Sequence, residues 1–302
     1  MPTRRALLAG IGLALAGPVR AHAQVPGPVG PVARRVACLD LLLTETLLTL
    51  GVTPVAVGNI PLYQRLVAEP ALPDGVPDLG PLQEPNLELL QQLRPDLILA
   101  PSWAEVGQTN LGRIAPVAWL PTFSTQKPAL DHARDLLMRA AALTGRDAEA
   151  RAWSDRADAA LAKARRLLEP WTDRPVYVVR FNEDGRHAAI FGGNGMIGDV
   201  LSRLGLRNAW TGRTNVWGTV SIGIEQLAGN AEARLIHFDR GAETERALRQ
   251  LAASPLWAAL PAVRQDRVIE MPVIYPNGGV FSATRFAQQL AQVLPAHGTA
   301  NG

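Results

Sequence analysis

A single cysteine in 302 residues, Cys38, excludes an internal disulfide framework and a cysteine-rich zinc cluster. Histidine is also scarce, and His132, His187 and His237 are too widely spaced for a histidine metal motif, so no directly bound metal ion is expected. An excess of one charge is missing as well. Lys+Arg 30 against Asp+Glu 27 leaves +3, with the basic residues scattered, which argues against a nucleic-acid partner. Past the N-terminal segment no apolar run approaches the roughly 20 residues of a membrane span. There is no G-x-S-x-G and no visible pairing of nucleophile with base, so catalysis is not expected. The FGGNG at 191–195 lacks the Lys-Ser/Thr of a phosphate loop and reads as a tight turn into a helix.

What is present is apolar substance in quantity: 47% hydrophobic and 19% charged residues, enough for one large or two ordinary globular domains. The N-terminus, MPTRRALLAGIGLALAGPVRAHAQ, has a basic pair, a short apolar run and small residues Ala21 and Ala23 about a cleavage position. This is the layout of a secretory signal over 1–23, and Arg4-Arg5 gives it a twin-arginine character. Export to the periplasm is expected, with the mature chain starting near Gln24. A Pro/Gly linker at 24–32 follows.

From 33 to 127 short β-type runs at 35–40, 55–57, 97–100 and 117–120 alternate with helical patterns at 41–50 and around Glu88. Segment 128–169 is rich in Ala, Leu, Arg and Asp and reads as one long helix, with Gly145 as its weak point. From 170 to 302 the alternation resumes, with strands at 176–181, 188–191, 235–238 and 268–271 and helices at 196–204, 243–252 and 282–294. The fold class is α/β: two βα lobes with mainly parallel sheets joined by one long rigid helix. The buried reading of 36–39 makes Cys38 a core residue.

One unit recurs between the halves. In LQEPNLELLQQLRPDLILAP, Pro85 fits a first helical turn, Glu88 stands on the helix, and Arg94-Pro95 ends it before strand 97–99. Shifted by 137 residues, Glu88 falls on Glu225 of SIGIEQLAGNAEARLIHFDRG, and Ile98-Leu99 falls on Leu235-Ile236. Each lobe therefore presents one carboxylate at an equivalent place. Trp103 and Tyr275 follow strand ends, where open α/β sheets bind ligands, and Trp217 stands in a segment just ahead of the helix expected to carry Glu225; all three are candidates to line a cleft between the lobes.

Six stretches, at 45–58, 69–80, 84–99, 113–116, 208–218 and 254–268, together resemble the periplasmic siderophore-binding proteins of ABC importers, in particular the ferric-hydroxamate binders. The resemblance runs through both halves in order. It implies a shallow cleft between two lobes, little closure on binding, a ferric siderophore as ligand without any further cofactor, and an inner-membrane permease as partner of a monomer. It also implies that Glu88 and Glu225 dock into arginine pockets of that permease. Trp217 matches a pocket tryptophan, and Tyr275 falls where another pocket aromatic belongs. Three positions depart from the pattern: Leu82 replaces a ligand-binding arginine, Ala104 a pocket tyrosine and Leu66 a tryptophan. Trp103, beside Ala104, is the expected substitute for the tyrosine, and Arg180 at a strand end is the expected source of charge. The cleft reads as poor in basic residues, which speaks against a catecholate ligand. Haem or a corrinoid is the alternative ligand, with Tyr63 or Tyr275 as haem-iron ligand.

Overall fold

The computed structural model describes residues 32–297. The expected signal segment and nearly all of the linker lie outside the described residues.

The first lobe is β1 (Val36–Cys38), α1 (Leu41–Thr49), β2 (Ala56–Val57), α2 (Ile60–Leu66), α3 (Leu87–Leu93), β3 (Leu97–Pro101) and β4 (Val117–Leu120). Its four strands are all parallel, in the order β2-β1-β3-β4. Both faces of this sheet are covered, so its strands are apolar without alternation. Val36 and Cys38 pack into one layer with Leu43 and Leu47 of α1, while Ala37 and Ile98 pack into the other with Leu90 of α3. Burial holds the Cys38 thiol up at about 12, so it is an inert core residue. α3 starts at Leu87, one residue after Asn86, whose side chain accepts from Leu89 N at 2.9 Å. Pro85 thus stands ahead of the helix instead of inside its first turn. The stop falls where expected, at Arg94 in the left-handed conformation.

The connecting segment is two helices, α4 (Ala129–Thr144) and α5 (Asp147–Leu168), instead of one. Gly145 caps α4 at φ 67°, and a Cβ there would also meet Val32 at 2.9 Å, so the glycine breaks the helix outright instead of kinking it. The stripe of Ala150, Ala157, Leu161, Ala164 and Leu168 on α5 is buried. Its small members let the last helix, α10, lie along α5, with Phe281 of that helix against Trp153 at 5.3 Å between ring centroids.

The second lobe holds β5 (Val176–Phe181), β6 (His187–Phe191), α6 (Met196–Arg203), β7 (Thr219–Gly223), β8 (Arg234–Asp239), α7 (Ala242–Ala252), α8 (Pro255–Ala259), α9 (Pro261–Arg264), β9 (Val268–Pro272) and α10 (Val280–Ala296). The sheet order is β7-β6-β5-β8-β9. Here the parallel expectation fails in part: β5, β8 and β9 are parallel, but β6 runs antiparallel to both β5 and β7. The β5–β6 connection at 182–186 is a short turn, too short for a parallel crossover. No helix among the described residues is long and apolar enough to cross a membrane.

Candidate functional site

In a sheet ordered β2-β1-β3-β4 the chain leaves β1 and β3 in opposite directions, opening a crevice at their carboxyl ends. Asp40 and Leu41 follow β1 and Trp103 follows β3, and all three line a cavity of about 320 Å³. The second lobe closes the same cavity with Arg180 near the end of β5, Trp217 and Thr219 at the start of β7, and Tyr275 beyond β9. The wall is largely apolar, with Leu62, Leu66 and Leu82 contributed by the first lobe. Among the residues singled out from the sequence, the structure brings Trp103, Trp217, Tyr275, Arg180, Leu82 and Leu66 together around one cavity.

Trp217 is 42% exposed, and its loop is held from below. The Asn215 side chain accepts from the backbone N–H of Trp217 at 3.0 Å and of Thr219 at 3.1 Å, and the Asn194 amide donates to the Asn215 carbonyl at 2.9 Å. The indole meets Phe123, which follows β4, edge-on at 5.7 Å, so an aromatic pair crosses between the lobes. Trp103 is 50% exposed on a 3₁₀ turn, a large apolar surface left in solvent. Leu82 packs close over Gly58, and its carbonyl accepts from the Gln108 side chain at 2.8 Å. The polar atoms that the first lobe brings to the main cavity come from Asp40, Gln83 and Thr122.

Tyr63 is a correction. It is 1% exposed, its hydroxyl donates to the Pro70 carbonyl at 2.8 Å, and it packs into the core instead of lining the cavity. Tyr275 does line the cavity, but burial and the carboxylates of Asp40 and Glu45 push its phenol above the ordinary value. Tyr275 contributes an aromatic side chain to the cavity wall. Burial likewise raises Asp40 to about 6, against the opposing bond from Leu43 N.

The expectation of a cleft poor in basic residues is also corrected. Leu66 and Arg180 also line a second, more open recess beside the main cavity, and Arg65 and Arg240 line it too. Arg65, on α2 of the first lobe, grips Glu243 of α7 through two bonds, at 2.5 and 3.0 Å. Arg240 pairs with the same carboxylate. Sequence reading named Arg180 but missed Arg65 and Arg240, which come from α2 and the turn after β8. Glu88 and Glu225, the carboxylates expected to meet a permease, are both exposed. Glu88 lies in the first turn of α3, which runs back toward the start of β3 and so begins at the cavity end of the sheet. Glu225 lies on a 3₁₀ turn just past the end of β7, at the opposite end of that strand from Trp217 and Thr219.

The periplasmic binding protein family matches residues 36–275. The chain is 32% identical over 274 residues to the iron(3+)-hydroxamate-binding protein FhuD of Escherichia coli, spanning 91% of this chain and 90% of that protein. It is 26% identical over 275 residues to the achromobactin-binding periplasmic protein of Dickeya dadantii, spanning 86% of each. Among solved structures, the siderophore-binding protein FhuD of Vibrio cholerae with bound Fe3+-Desferal aligns at TM-score 0.78 and 30% identity, over 87% of this chain and 98% of that one. Staphylococcus aureus SirA, complexed with staphyloferrin B, shares the fold at TM-score 0.65 and 18% identity.

Proposed function

The chain belongs to the periplasmic binding protein family, and from that premise we propose that it captures a ferric siderophore of the hydroxamate type between its lobes and delivers it to an ABC permease of the inner membrane. It works in the periplasm as a monomer, after export through its twin-arginine leader and cleavage near Ala23. The observation that carries this reading is the composition of the cavity: Trp103, Trp217 and Tyr275 present aromatic surface from both lobes, with Arg180 as the cation among the lining residues. A ferric chelate brings its own iron ligands, so its binder needs apolar area and a few placed donors instead of a metal-binding side-chain cluster. The likeness to a FhuD that holds Fe3+-Desferal supports the hydroxamate class.

Titration of the mature protein with ferric Desferal, followed by tryptophan fluorescence, tests the reading. Saturable quenching is expected, weakened at least about tenfold by Trp217→Ala, a loss of about 1.4 kcal/mol or more. Absence of any saturable signal with ferric Desferal would refute the hydroxamate class.

A further inference from the structure

Three guanidinium groups face the recess beside the main cavity, and they are not matched by carboxylates. Glu243 serves both Arg65 and Arg240. The other carboxylate of the recess, Glu183, is committed to Arg246 at 2.7 Å. Among the described residues no carboxylate lies within ion-pair distance of Arg180, although its side chain is half-buried between the two chambers. The Arg240 side chain is 6% exposed, and its Nε is buried with no hydrogen-bond partner. The groups also repel one another: Arg180 is lowered by burial and then by Arg65, and Arg240 by burial and then by Arg180. Asn182 adds a neutral polar group to the recess. A half-buried arginine cluster with unspent donors is costly unless an anion completes it, and planar guanidinium groups fit a carboxylate best.

We propose that the recess walled by Arg65, Arg180 and Arg240 is an anion subsite, and that the preferred ligand is a ferric hydroxamate carrying a pendent carboxylate that enters it. The chelate itself occupies the aromatic main cavity, and Leu66 and Arg180, shared by both chambers, mark the passage from one to the other. The subsite rests on the siderophore reading above and specifies which siderophores suit the site. It draws its cations from both lobes, Arg65 from the first and Arg180 and Arg240 from the second, whereas the main-cavity wall of the first lobe carries Leu82.

Three ferric trihydroxamates that share one chelate test the subsite: Desferal with its free amine, N-acetyl-Desferal and N-succinyl-Desferal, which carry a cation, a neutral amide and a carboxylate at the same position. In the full mature protein the succinyl form should bind at least about tenfold more tightly than the acetyl form at low salt, and the advantage should shrink as salt rises. Arg180→Gln should bring the ratio of the two dissociation constants close to one, and Arg180→Glu should reverse it in favour of the free amine, with thermal melts reporting that both variants are folded. The ratio separates a charge preference from a general loss of binding. Equal affinities in the wild type, or a succinyl preference untouched by both variants, would overturn the subsite while leaving the hydroxamate reading intact. Failure of all three complexes to bind would overturn both.

Discussion

Glu45 is a carboxylate with 1% exposure, reaching from α1 of the first lobe to the start of α10. It accepts from Gly279 N at 2.9 Å, Ser282 N at 3.0 Å and the Ser282 hydroxyl at 2.7 Å, so it serves the N-terminus of a helix that packs on the second lobe. Burial outweighs these bonds and raises its pKa from 4.5 to about 7. The folded chain therefore holds a proton between those values that the unfolded chain releases. This contribution to stability is fully present below the unfolded pKa and is lost as pH rises through about 7. Asp40, raised to about 6, acts in the same direction. Buried His237, whose pKa is lowered by burial, acts in the opposite one, losing stability as pH falls. Comparison with Glu45→Gln cancels those two groups: the unfolding free energy of wild type minus variant, from urea denaturation, should move by about 2 kcal/mol in favour of wild type between pH 7.5 and pH 5. A difference independent of pH would mean that the three hydrogen bonds keep Glu45 ionised. None of this was legible in the sequence, where Glu45 is one polar residue in the apolar pattern of 41–50; its partners lie more than two hundred positions away. The same blindness explains Tyr63, an aromatic residue whose direction is decided by the carbonyl of Pro70.

Among the elements, α6 and the loop before it set the position of Trp217. Gly195 is there for close approach: a Cβ on it would come within 2.7 Å of the Trp217 carbonyl oxygen and 3.0 Å of the Gly218 Cα, both backbone atoms. Gly195 has φ −99°, so an alanine there is limited by space and not by conformation. Gly193, two residues earlier, has nothing within 4 Å of such a Cβ. Gly195→Ala should therefore displace the Trp217 loop, lowering stability by about 1–3 kcal/mol and weakening ferric Desferal several-fold, while Gly193→Ala leaves both nearly unchanged. Thermal melts and fluorescence titration check the pair, and equal behaviour of the two variants would show that the contact does not hold the loop. Reading 191–195 as a turn into a helix was sound, because its composition and the apolar pattern after it are local signals. β4 and β5 were legible to the residue for the same reason, as apolar runs bounded by proline or polar residues. β7 was missed because TVSIG is short and glycine-flanked, and it is a strand because β6 pairs with it along five residues. The antiparallel setting of β6 likewise depends on a turn at 182–186, which apolar periodicity does not report.

At the scale of the whole molecule, the two-lobe plan was legible because alternating strands and helices on either side of a proline-free helical segment allow few arrangements. The charge pairing across the cleft was not, because a cavity built from both lobes collects residues that no sequence window contains. Arg65 and Glu243 are an instance: their bidentate pair joins α2 to α7 across the lobes. Glu88 and Glu225 stand apart from that interior. Both are exposed, and neither is within ion-pair distance of a basic residue among the described ones. Two separated carboxylates in that setting have little to contribute to folding, since an exposed charge is worth a few tenths of a kcal/mol, even at a helix N-terminus such as that of α3. They are well placed to orient the protein over a partner with complementary charge, where an unfavourable charge pair at each contact costs much more. The double variant Glu88→Lys, Glu225→Lys should therefore keep its melting temperature to within a few degrees and its affinity for ferric Desferal to within about twofold, yet fail to support uptake in cells lacking the wild-type protein. Uptake at the wild-type rate would remove these carboxylates from the docking surface. Loss of ligand affinity in the double variant would instead place them in the binding site, which the positions of the cavity-lining residues argue against.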